Sequence, residues 1–106
     1  MGGARITDAV QIIETGEIAG NASATVLPTL RCKWVKFKAQ ADNAGKVYIG
    51  ITSGVTKAAG TEDRTTGWGL SAGEETDWLP AKGGDMAGFY RICDNSGDDL
   101  FYVAMS

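Results

Sequence analysis

The sequence predicts an all-β domain, an antiparallel β-sandwich or small barrel of about eight short strands with an N-terminal arm. Three observations carry this prediction. Apolar residues alternate with their neighbours at Val35/Phe37, Val47/Ile49/Ile51 and Phe101/Val103/Met105. That is the period of two expected of a pleated strand with a buried face. The chain has 15 glycines and 2 prolines in 106 residues, and turn signals recur every ~8–12 residues, the rhythm of many short strands. After residue 20 no segment sustains a helical period.

The first 20 residues differ from the rest. Ile6, Val10 and Ile13 stand at helical spacing, while Val10-Gln11-Ile12 alternates like a strand. The preferred reading is an extended arm, or an edge strand followed by a loop, over 1–20, with the sandwich domain over 21–106. Ile6, Val10, Ile12 and Ile13 give this arm more apolar surface than a free tail keeps in water. They are candidate contact residues. Ala24–Leu27 is a short strand stopped by Pro28, which lacks a ladder donor.

The centre of the chain, Arg31–Thr52, reads as a β-hairpin. Its first strand puts Lys33, Val35 and Phe37 on one face and Cys32, Trp34, Lys36 and Lys38 on the other. Asp42-Asn43-Ala44-Gly45 supplies turn residues, and Val47, Ile49 and Ile51 mark the second strand. Ser53–Gly67 is polar and reads as a long surface loop. Trp68–Leu70 is a strand, Ser71–Glu74 a hairpin turn, and Glu75–Leu79 another strand before Pro80. After a loop at Ala81–Asp85, Met86–Cys93 reads as a strand with Phe89, Arg91 and Cys93 on one face. Asp94–Asp98 is a tight turn into the last strand, Asp99–Met105.

Bulk properties narrow the function. The length fits one domain. A net charge of −3 argues against a general binder of nucleic acid or anionic membrane. No apolar run approaches the ~20 residues of a membrane span, so no membrane contact is expected. The N-terminal residues lack signal-peptide features, so synthesis and retention in a cytoplasm are expected. On that expectation the acceptor-like Asn21-Ala22-Ser23 stays unmodified. Cys32 and Cys93 fit no zinc or redox spacing and are expected to be free, buried thiols. Each ends a predicted strand, which leaves open that the two are neighbours in space.

The motifs with chemical content are incomplete. Gly69-Leu70-Ser71-Ala72-Gly73 matches the G-x-S-x-G elbow, but the chain has no histidine to serve as base. Asp94, Ser96 and Asp98 start like a calcium loop, yet Asp99 and Met105 stand where glycine and glutamate are needed. Arg31, Lys33, Lys36 and Lys38 with Trp34 and Phe37 resemble a basic aromatic platform, but alternation splits them between two faces. Trp34, Trp68 and Trp78 suit either a sugar-stacking surface or core and subunit contacts. Trp34 and Trp68 join the candidate contact residues. No catalytic, metal or cofactor-binding residue is expected.

The order of segments carries a resemblance. Leu30–Ala39 is followed by Asn43–Gly50, then Gly69–Glu74, then Phe89–Cys93 and Leu100–Val103. This succession of cysteine, basic strand, N-x-G turn, V-Y-x-G strand and L-x-x-G-E turn covers about two-thirds of the chain. It resembles a family of small β-domain proteins encoded by tailed bacteriophages and prophages. The resemblance implies a non-enzymatic virion protein, foremost a capsid decoration or cement protein. It implies a homotrimer partnered by the major capsid protein or another virion protein, located in the virion and assembled in the host cytoplasm. A carbohydrate- or receptor-binding module of a tail or fibre is the alternative. The arm and the loop at 53–67 depart from the shortest form of the pattern.

Overall fold

The computed structural model describes residues 12–57 and 68–106, which form eight strands in two four-stranded antiparallel sheets. The strands are β1 (Ile12–Ile18), β2 (Thr25–Val26), β3 (Trp34–Ala39), β4 (Val47–Gly50), β5 (Trp68–Leu70), β6 (Leu79–Pro80), β7 (Tyr90–Cys93) and β8 (Leu100–Met105). Sheet A has the order β1-β8-β3-β6, and sheet B the order β2-β7-β4-β5. The expected all-β architecture is present. Within the N-terminal segment, residues 12–18 are an edge strand hydrogen-bonded to β8.

The pairings have a simple rule. First pairs with last (β1/β8), second with seventh (β2/β7), third with sixth (β3/β6), and fourth with fifth (β4/β5). A long antiparallel ribbon folded in this way and wrapped around a core is a jelly roll. The core lies between the sheets, built from Val35, Phe37 and Ala39 of β3, Val47 and Ile49 of β4, Leu70, Cys93, and Leu100, Tyr102 and Ala104 of β8. Met86 and Phe89 fill it from the β6–β7 connection, where the Phe89 ring meets Phe37 edge-on at 5.5 Å.

This topology corrects the predicted central hairpin. β3 lies in sheet A and β4 in sheet B, so residues 40–46 cross between sheets. Alternation marks one buried face per strand, and two such strands satisfy it equally well side by side or face to face. The turns at Ser71–Glu74 and Asp94–Asp98 also cross, linking β5 to β6 and β7 to β8. Among the described strands, only β4 and β5 are both consecutive and paired.

Three element boundaries and one buried face also change. β4 stops at Gly50, leaving Ile51 50% exposed rather than in the core. The strand predicted over Glu75–Leu79 shrinks to Leu79–Pro80, and it tolerates proline because β6 is an edge. Upstream of β6, Glu75 makes an isolated bridge to Lys38, and the Thr76 hydroxyl accepts from the Phe37 N–H at 3.0 Å. Met86–Gly88 is a 3-10 turn capped by Asp85, whose carboxylate accepts from Ala87 and Leu30 N–H groups at 2.9 Å each. On β8 the inward face is Leu100/Tyr102/Ala104, not Phe101/Val103/Met105. β8 sits between β1 and β3, with Leu100, Tyr102 and Ala104 opposite the buried Ala39, Phe37 and Val35.

The crossing connections at one end of the sandwich are locked to each other. Asp98 accepts from the backbone of Ala44 and Gly45 at 2.9 and 3.2 Å, and from Asn95 N and Nδ2 at 3.0 and 2.9 Å. Asn43 exchanges two bonds with the Asp99 backbone. A Cβ at Gly45 would lie 2.6 Å from that of Asp94, so only glycine admits this approach. Cys32 and Cys93 are both free and buried. They lie at opposite ends of the sandwich: Cys32 precedes Trp34, which faces Met105, whereas Cys93 faces Val47 beside the turn into Leu100.

Candidate functional site

With Val35 and Phe37 turned inward, β3 presents Trp34, Lys36 and Lys38 on the outer face of sheet A. β8 likewise presents Phe101, Val103 and Met105. The register sorts these side chains into rows. Ile12, Met105 and Trp34 form the first, Thr15, Val103 and Lys36 the second, and Glu17, Phe101 and Lys38 the third. Ile12 is 59% exposed, Trp34 41% and Phe101 45%. This face therefore leaves large apolar side chains in solvent, where the outer side of an antiparallel sheet is commonly polar.

The segment before β6 adds a wall. Lys36 Nζ pairs with Glu75 Oε1 at 2.8 Å and stands 5.4 Å above the Trp78 ring. The hydrogen bond from Lys36 holds the Glu75 carboxyl below its usual range, and the charges of Lys36 and Lys38 act in the same direction. Such an exposed pair adds little stability, but it fixes where the two charges stand. Between this wall and β8 lies a groove of about 360 Å³. Phe101, Val103, Trp78 and the Lys36 stem line it, with Thr15, Lys38 and Glu75 at its margins. On the opposite, inward face of the same strands the Tyr102 phenol donates to Glu14, and its pKa is pushed up to about 12 by that bond and by burial.

Of the six predicted contact residues, Ile12 and Trp34 come together, flanking Met105 in the first row. Ile13 is exposed at the irregularity between Ile12 and Glu14, beside that row. Trp68 is exposed but sits on β5 of sheet B, opposite Ile49, away from the others. Ile6 and Val10 lie outside the described residues. The three tryptophans therefore share no single stacking surface, and only Trp78 lines the groove. The sequence reading passed over Phe101 and Val103 as a site because it assigned them to the core. The signal was present in Leu100–Met105, which is apolar on both faces, as a strand with an uncovered apolar side must be.

The incomplete motifs form turns. The Asp98 carboxylate is committed to Ala44, Gly45 and Asn95, and Asp94 Oδ2 to the Lys46 N–H at 2.9 Å. Among the described residues no cluster of histidine, cysteine and acidic side chains is placed to hold a metal. Ser71 begins a turn in which its N–H donates to Glu74 Oε1 at 2.7 Å, and Gly73 takes a φ of 82°. No helix among the described residues is long and apolar enough to cross a membrane. No family model, no curated protein and no solved structure matches the chain.

Proposed function

We propose that this protein is a non-enzymatic structural component of a tailed-phage particle, a capsid decoration or cement protein that binds the shell as a trimer. The observation that carries the reading is the exposed row of Ile12, Met105 and Trp34, with Ile13 beside it. Tryptophan in an apolar setting is the residue most often found to anchor an interface. The row stands at the start of β1, on the edge strand of sheet A. Its partner is the major capsid protein or another virion protein, met in the host cytoplasm during assembly and retained in the virion.

Two supports are indirect. The segment order resembles that of phage virion proteins, and the jelly roll is an architecture used in viral shells and in lectins. The second support is fold-level analogy, which by itself assigns no role. A trimer suits the three-fold positions of an icosahedral shell, and linked contacts let each subunit bind weakly. The alternative, a carbohydrate- or receptor-binding module of a tail or fibre, is favoured by the groove rather than by the row.

The test is co-sedimentation with undecorated shells of the parent phage, alongside light scattering of the free protein. Trp34→Ala and Ile12→Ser should each weaken shell binding about tenfold while leaving the fold intact. The informative truncation removes residues 1–11, because a longer deletion would cut into β1 and the buried Ile18. Undiminished binding by Trp34→Ala would remove the row from the mechanism. A strict monomer at high concentration would count against a preformed trimer.

A further inference from the structure

The groove on sheet A differs in chemistry from the apolar row beside it. At about 360 Å³ it falls in the range that holds a small ligand, and such sites combine apolar walls with a few fixed polar groups. Trp78 is half-buried, with Lys36 above its ring, and exposed Phe101 stands on the other side of β3. Two strand spacings separate these aromatic walls, roughly 10 Å.

The charges decide the ligand class. The Lys36 ammonium is neutralised by Glu75, and Lys38 lies opposite that same glutamate in the Lys38–Glu75 bridge. An anionic chain, whether nucleic acid or polyanionic polymer, therefore meets one lysine already paired, a carboxylate and a protein of net charge −3. A purely apolar ligand would bury the ammonium and the carboxylate against hydrocarbon, which is costly. A ring with an apolar C–H face and a rim of hydroxyls satisfies both kinds of surface. Its face lies against Phe101 and Trp78. Its hydroxyls donate to the free lone pairs of Glu75, of which Lys36 uses one, and accept from Lys38. We propose that this groove is a binding site for a neutral oligosaccharide. The proposal rests on the groove alone and does not require the assembly role.

The experiment uses the full chain, labelled with 15N, because the three tryptophans give three separate indole resonances. The probes are cellotetraose, maltotetraose, chitotetraose and a neutral bacterial O-antigen polysaccharide, with a heparin tetrasaccharide and a thymidine hexanucleotide as anionic counterparts. At least one neutral probe should shift the Trp78 indole resonance saturably and leave Trp68 unmoved. Phe101→Ala, at an exposed position, keeps the fold and should weaken that probe about tenfold. Glu75→Gln should weaken it several-fold without loss of folding. No shift of Trp78 with any neutral probe, a shift that survives in Phe101→Ala, or binding by the anionic probes alone would each overturn the proposal. Shell binding by the same Phe101→Ala protein separates the two readings. Retained shell binding with lost sugar binding in this variant supports both, and an unchanged protein that binds a neutral probe but no shells leaves only the groove.

Discussion

Asp98 is 1% exposed, yet it has a use for its charge. Burial alone would push its carboxyl up. The donors on Gly45, Asn95 and Ala44 outweigh burial and hold it below the usual carboxylate range. Its pKa is therefore lower in the folded state than in the unfolded one. The stability it contributes is complete above the unfolded value of about 3.9 and is lost as pH falls through the folded value. Asp98→Ala should cost about 3 kcal/mol at pH 7, since it strands several buried donors at once. The difference from the unchanged protein should shrink in urea titrations repeated below about pH 4. A constant difference across that range would mean that packing, not charge, sets the cost. The thiols make a second residue-scale case. Burial pushes both Cys32 and Cys93 up, aided at Cys32 by the Asp85 charge, so neither is a ready nucleophile. Titration with a thiol reagent should find two thiols in denatured protein and almost no reaction in the native state at pH 7. Zero thiols after denaturation would contradict their placement at opposite ends of the sandwich.

At the scale of elements, legibility depended on how many faces a strand buries. Val35 and Phe37 alternate with lysines, so the buried face of β3 was plain in the sequence. β8 is apolar on both faces, so alternation could not tell Leu100/Tyr102/Ala104 from Phe101/Val103/Met105. That ambiguity hid the groove, because Phe101 and Val103, which form its β8 wall, read as core. Pairing was hidden for another reason. Asp42–Gly45 and Asp94–Asp98 signal a reversal of direction, and a reversal serves a hairpin or a crossing between sheets equally. What distinguishes them is the long-range bonding of Asp98 and Asn43, which joins positions more than 50 residues apart. The revised boundary of β4 gives a sharp comparison. Ile49→Ala should cost about 2–5 kcal/mol through lost burial and a residual cavity. Ile51→Ala, two residues on and half exposed, should stay within about 0.5 kcal/mol. Equal costs for the two, measured by chemical denaturation, would move the end of β4.

Over the whole molecule, the nested pairing determines the order in which the structure can be made. β8 lies between β1 and β3, so it holds two of the other three strands of sheet A in place. It is also synthesised after all seven of its companions. Until it arrives, β1 has no neighbour to pair with, and Val35 and Phe37 of β3 have only half a sheet around them. A growing chain therefore carries the future core of sheet A uncovered until β8 has been made. A chain ended at Asp99 should fail to form sheet A, remain susceptible to protease and bind a hydrophobic dye. A protease-resistant product from that truncation would show that sheet A assembles without β8. Closing contacts such as Ile12 to Met105, at nearly opposite ends of the sequence, makes folding slow relative to helical proteins of this size. Loops that are costly to close while folding must also be reopened together for the sheets to come apart. For a subunit of the particle proposed above, no further synthesis replaces a lost copy once the host cell is gone, and resistance to reopening then matters more than speed of folding.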